Sequence, residues 1–191
     1  VALVGMSGNE AHVYCSGVWV GPKVIATAAH CVADMEMGEM VSYLTKKDMY
    51  KPGGYEVLNP VVPWTASLFS RDFDHDVALL RTVGTAPGHL VAVIRKEVPR
   101  QGSQVHTLGA PLGIPWSYSR GDVAAVRYGM GPDDLDILTV QVTAPISPGN
   151  SGGGLFNDHG ELIGICRATY TRGQAMNLFT HISYISALLE S

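Results

Sequence analysis

The chain is short of charge: Asp, Glu, Lys and Arg make up 16% of its 191 residues, and the formal net charge is -4. No cluster of Lys and Arg exceeds the short groups Lys46-Lys47 and Arg95-Lys96, so no basic face is offered to a phosphate backbone and nucleic acid is not the expected partner. No apolar run approaches the roughly 20 residues that cross a bilayer as a helix, so no membrane span is expected. The sequence has no C-x-x-C pair and no H-E-x-x-H segment, and from this no metal and no organic cofactor is expected. It also lacks internal repeats and low-complexity tracts. Cysteine is scarce, at three, and Cys166 sits in the apolar run Leu162-Ile163-Gly164-Ile165-Cys166, where a thiol acts as a small core residue.

What the chain does have is apolar residues, at 46%, together with 22 glycines and 11 prolines. That balance favours short strands joined by tight turns over long solvated helices, and predicts an all-β fold. Alternating and short apolar runs predict strands near residues 2–6, 12–20, 23–27, 40–45, 54–62 and 77–81. After the polar connection from Ile94 to Gly102, further strands are predicted near 104–108, 118–127, 136–143, 154–157, 161–169 and 177–182. A helical turn is expected around Ala28–Ala33. Ser183 reads as the N-cap of a short C-terminal helix.

The densest chemical signal is Ser147-Pro148-Gly149-Asn150-Ser151-Gly152-Gly153-Gly154. It sets a hydroxyl in a glycine turn whose backbone N–H groups can face one point. A serine alcohol is a poor nucleophile at neutral pH and needs a base for its proton and fixed donors for the oxyanion that follows. Thr27-Ala28-Ala29-His30-Cys31 offers an imidazole, and Phe73-Asp74-His75-Asp76-Val77-Ala78-Leu79-Leu80 offers a carboxylate at the head of an apolar strand. His30 would be the general base, Asp76 its orienting partner, and Ser151 the nucleophile, with the N–H groups of Gly149 and Ser151 as the oxyanion hole. Asp72 and Asp74 share a two-residue register with Asp76 and compete for its role. The string Gly149-Asn150-Ser151-Gly152-Gly153 also satisfies the G-x-S-x-G elbow of α/β-hydrolases, but those enzymes place the acid and the histidine after the serine.

These segments resemble the trypsin and chymotrypsin superfamily of serine proteases. Cys15-Ser16-Gly17-Val18-Trp19-Val20 and Val24 to Val32 are similar to its strand pair leading to the histidine. Leu108-Gly109-Ala110-Pro111-Leu112-Gly113, Ser119 to Val123, Gly149 to Leu155 and Gly160 to Ile165 resemble the HtrA branch. The resemblance implies two six-stranded antiparallel β-barrels with a short C-terminal helix packed on the second. Residues 1–95 would carry His30 and Asp76, and residues 103–191 would carry Ser151 and the specificity pocket. With eight residues after Ser183, the resemblance is expected to stop at the protease unit.

Further expectations follow from the resemblance alone. It favours Asp76 over its neighbours, because the family's aspartate immediately precedes the inward strand. It implies a Cys15–Cys31 disulfide, worth about 3 kcal/mol on chain-entropy reasoning and at home in an oxidising compartment. It implies a substrate pocket built from Pro145, Ile146, Pro148, Arg167, Ala168, Thr169, Asn177 and Phe179. Pro145 replaces the acidic pocket floor of trypsin-like enzymes, so a neutral P1 side chain is expected, since a basic one would be buried unpaired. Asn150 replaces the aspartate that pairs with a released N-terminus. The expected partner is a polypeptide bound in extended form, with no oligomeric state implied. Two settings fit, a secreted or periplasmic HtrA-like enzyme and a virus-encoded intracellular processing protease. A protease-fold binding protein without catalysis is the alternative from another class.

Overall fold

A computed structural model of the chain describes residues 1–7, 10–45, 64–86, 88–114, 116–129, 136–169 and 176–191. Among these, thirteen strands form two sheets. The first runs in the order β2-β1-β5-β6-β7-β4-β3, with β1 Ala2–Ser7, β2 Glu10–Ser16, β3 Val18–Gly21, β4 Val24–Thr27, β5 Met40–Leu44, β6 Trp64–Asp72 and β7 Val77–Thr82. The second is a closed barrel, β10-β13-β12-β11-β8-β9, built from β8 Gln104–Gly109, β9 Ser117–Tyr128, β10 Leu138–Val142, β11 Gly154–Asn157, β12 Leu162–Thr169 and β13 Asn177–His181. Helix α1, Ser183–Glu190, ends the chain. The all-β architecture with one C-terminal helix therefore stands, and among the described residues the first sheet has seven strands with β2 and β3 at its edges.

The two edges are joined through a single residue. A single strand was expected over 12–20, but Gly17 divides it, and a Cβ there would press on the Ile25 side chain at 2.7 Å. The chain turns at this glycine and becomes both edges of the sheet. The strand expected over 54–62 lies outside the described residues. Strand β6 escaped the sequence reading because its alternation is carried by small residues: Ala66 and Leu68 are buried while Trp64, Thr65 and Phe69 face outward.

Strand β7 shows why a run can be apolar at every position. Ala78 and Leu80 enter the first sheet's core with Leu3, Ile25 and Leu68, and Val77 and Leu79 face the other way. The second face meets Leu162 and Ile165 of β12 and Ile182 and Ile185, which welds the two sheets along a seam. Both faces are buried, so alternation with polar residues disappears. Helix α1 consequently lies at the seam instead of on the barrel alone. Its N-cap is Ile182, without a side-chain cap, because the Ser183 hydroxyl pairs with His181 Nδ1 at 2.9 Å.

Cys15 and Cys31 are joined by a disulfide with a Cα separation of 6.1 Å, which ties β2 to the 3-10 turn Ala29–Val32. Cys166 is a free, buried thiol, and burial pushes its proton affinity up, keeping it neutral. His181 is 1% exposed, and burial lowers its pKa below the ordinary histidine value. The unfolded chain takes up a proton near pH ~6.5 that the folded chain resists, so folding stability is full above that pH and falls as pH drops through it. Thermal unfolding of the wild type and of His181→Asn between about pH 7.5 and 5 should show a shallower acid loss in the variant. Parallel curves would assign the acid loss to other groups.

Candidate active site

His30 belongs to the 3-10 turn that follows β4. Arg71, from β6, caps that turn by donating to the carbonyls of Val32, Ala33 and Met35 at 2.8, 3.2 and 2.8 Å. The imidazole Nδ1 lies 2.8 Å from Asp76 Oδ2 and 3.1 Å from Oδ1, and the His30 backbone N–H donates to the same carboxylate at 2.9 Å. Two donors on one carboxylate fix both the ring and the turn that carries it. The His30 side chain is 46% exposed and that of Asp76 13%, so the ring opens outward from a shielded anion.

Asp76 holds φ at 55°, the left-handed region that L residues rarely occupy. It closes the 73–76 turn between β6 and β7, where its N–H donates to Phe73 at 3.3 Å. The common register expected of Asp72, Asp74 and Asp76 is not realised, because this turn interrupts the strand. Asp72 instead accepts from the His75 N–H at 3.1 Å and lies 2.6 Å from His75 Nδ1. Asp74 is exposed. The His75 ring stacks on Tyr184 at 3.9 Å, anchoring the turn to α1.

Ser151 lies in the turn preceding β11, and its neighbours are locked against both sheets. Its carbonyl accepts from the Ser16 N–H at 2.7 Å, while Gly152 and Gly153 exchange backbone bonds with Cys166, each at 2.8 Å. Gly152, at φ +80°, is so close to β2 and β4 that a Cβ would overlap Thr27 Oγ1 and the Ser16 carbonyl and lie 3.0 Å from the Ala28 nitrogen. The turn is thereby pressed onto the segment that leads into His30. The described hydrogen bonds include none between the His30 ring and the Ser151 hydroxyl.

The backbone around Ser151 has a definite orientation. In a trans peptide the C=O and N–H point in opposite directions. The Pro148 carbonyl accepts from Leu112 N–H at 2.6 Å and the Asn150 carbonyl from Gly153 N–H at 2.8 Å. The partner N–H groups of those two peptides, on Gly149 and Ser151, therefore face the opposite way. Among the described residues neither has a protein acceptor. Gly149 has φ +99°, and a Cβ there would overlap the Ala110 carbonyl oxygen, so glycine is required.

The residues expected to shape a substrate pocket occupy different environments. Pro145 and Ile146 line a cavity of about 190 Å³ with Thr107, Ser119 and Asn150. Pro148 contributes the carbonyl held by Leu112. Arg167 Nε lies 3.9 Å from Asp76 Oδ2. Ala168 and Thr169 end β12. Asn177 is buried and donates to the Ala144 carbonyl at 2.7 Å, and Phe179, at 0% exposure, packs in the barrel core with Val105, Leu155 and Ile163. Sequence reading missed Arg71, Thr27 and Ser16. Arg71 went unseen with its strand, and a single hydroxyl among strand residues carries no periodic signal.

The chain belongs to the trypsin-like peptidase domain family, whose model matches residues 15–165. It is 32% identical over 176 residues to Protease Do-like 2, chloroplastic, of Arabidopsis thaliana, covering 85% of this chain and 25% of that protein. It is 31% identical over 127 residues to a probable periplasmic serine endoprotease DegP-like of Pseudomonas fluorescens, covering 60% of this chain and 26% of that protein. The chain thus spans about a quarter of the length of these curated relatives. Its fold is similar to that of the HtrA-type protease AlgW with decapeptide, with a TM-score of 0.75, 20% identity, and coverage of 95% of this chain and 52% of that one. The active form of the Rv3671c protease from M. tuberculosis gives a TM-score of 0.74 at 19% identity, covering 98% of this chain and 78% of that one.

Proposed function

We propose that the chain is the protease unit of a serine endopeptidase that hydrolyses peptide bonds through an acyl-enzyme. One observation carries this reading: two backbone N–H groups, on Gly149 and Ser151, without protein acceptors among the described residues lie in a turn pressed against the His30 segment. In the proposed mechanism His30 takes the proton of Ser151 as the hydroxyl attacks the scissile carbonyl. The N–H groups of Gly149 and Ser151 stabilise the resulting oxyanion, and Asp76 stabilises the imidazolium without taking its proton. His30 then returns the proton to the leaving amine and activates the water that releases the acyl group.

The first sheet, with edges joined through Gly17, is read as the first barrel of a chymotrypsin-like pair, and the lobe boundary is placed between residues 95 and 103. The cleft between the lobes would take an extended polypeptide. A neutral P1 residue is favoured, since no carboxylate stands among residues 145–148. The Cys15–Cys31 bridge and the periplasmic designation of bacterial relatives support a secreted or periplasmic setting.

A fluorophosphonate probe tests the assignment, because it forms a covalent adduct only with an activated serine. Mass mapping should find the adduct on Ser151, and Ser151→Ala should take up none. Equal labelling of both proteins would overturn the role of Ser151.

A further inference from the structure

Ser16 is 1% exposed, so its hydroxyl is shielded from water, yet it is fully engaged. Its Oγ donates to the Gly149 carbonyl at 2.8 Å and accepts from the Ala110 N–H at 3.0 Å. Its own N–H donates to the Ser151 carbonyl at 2.7 Å, and its carbonyl accepts from the Thr27 hydroxyl at 2.7 Å. One residue at the end of β2 therefore grips both carbonyls that bracket Asn150 and Ser151, and it does so from the opposite sheet.

We infer that Ser16 is a positioning residue that keeps the Gly149 N–H turned toward the substrate carbonyl, so that the oxyanion hole forms only when the first sheet is seated on the second. This rests on the function proposed above. Glycine populates positive and negative φ with similar ease, so nothing intrinsic to residue 149 holds its peptide in one orientation. The hydrogen bonds on either side must do so. Leu112, itself at φ 53°, holds the carbonyl before Gly149, and Ser16 holds the carbonyl after it. Without the Ser16 hydroxyl, the Ala110 N–H would be buried without a partner and the Gly149 carbonyl would lose its partner in a partly buried position. Turning the Gly149 carbonyl toward another donor relieves one of these groups, but it rotates the Gly149–Asn150 peptide, pulls the Asn150 N–H from the Ser147 carbonyl and changes the dihedrals of Gly149, through which the preceding peptide and its Gly149 N–H lose their fixed aim.

The test compares wild type and Ser16→Ala in kcat and KM for a peptide amide, inhibition by a peptide boronic acid, fluorophosphonate labelling and thermal unfolding. The boronate adduct places an oxygen where the oxyanion would sit. In folded Ser16→Ala, kcat should fall about 10- to 100-fold, a fraction of the effect of deleting an oxyanion donor outright. Boronate inhibition should weaken by the same factor, KM should stay within about twofold, and the pH midpoint of the kcat rise should not move. If the alanine variant does not fold, Ser16→Cys, which keeps a heavy atom in place with a weaker donor, carries the same comparison. A folded variant with unchanged kcat, or with kcat lowered but boronate inhibition intact, overturns the positioning role. A wild type that takes no probe on Ser151 overturns the proposed function instead.

Discussion

Replacing His30 with alanine is expected to lower kcat for a peptide amide by about 10⁶-fold with little change in KM, the scale seen when a serine protease loses a member that acts as a unit with its nucleophile. The reason lies in how the ring is held. Nδ1 sits against the Asp76 carboxylate, which leaves Nε2 as the nitrogen able to accept a proton. No other described imidazole has this combination of exposure and a shielded anion. His75 also faces an aspartate, but its ring is stacked on Tyr184. Asp76→Asn should cost about 10⁴-fold, because an amide can present N–H to Nδ1 and hold the ring in the wrong tautomer. Single-turnover and steady-state rates at matched folded concentration decide both cases. A loss below tenfold in either variant would remove that residue from the proposed chemistry.

The second large effect is expected from Gly152→Ala, a single methyl at the meeting point of the sheets. A Cβ at 152 overlaps Thr27 Oγ1 and the Ser16 carbonyl, and the crowding partners are largely backbone that cannot swing aside. Overpacking of this kind costs about 1–3 kcal/mol, to which the left-handed φ of +80° adds about 1–2 kcal/mol. The thermal unfolding midpoint should fall by roughly 4–20 °C on the scale for chains of this size. The Ser151 turn should also shift from the His30 segment, so fluorophosphonate labelling should slow at least tenfold. Gly160→Ala is the matched comparison, since Gly160 has φ +74° with nothing within 4 Å of a Cβ. It should show the conformational part of the stability loss and normal labelling. Equal loss in the two variants would mean that the seam yields to a methyl group.

Much of this molecule was legible in one dimension because the relevant signals are local. Strand β7 announced itself as Val77-Ala78-Leu79-Leu80, and the Ser147–Gly154 run could only be a turn. Strand β6 was not legible, since Ala, Ser and Thr hide an alternation that burial makes plain. Three nearby aspartates could not be separated by register, because the 73–76 turn that separates them depends on the hairpin between β6 and β7.

The residue chemistry and its order along the chain, with His30 and Asp76 before Ser151, the glycines of the Ser151 turn and the all-β class, were determined by the sequence itself, since each depends on neighbours a few positions away. Only the tertiary structure decided that Gly17 divides one predicted strand into two sheet edges, that α1 closes the seam, that Phe179 fills the core, and that Ser16 holds the Gly149 carbonyl from 133 positions away. Contacts between distant segments arise when two folded surfaces meet, and a hydroxyl carries no mark in the sequence of the carbonyl it will find there.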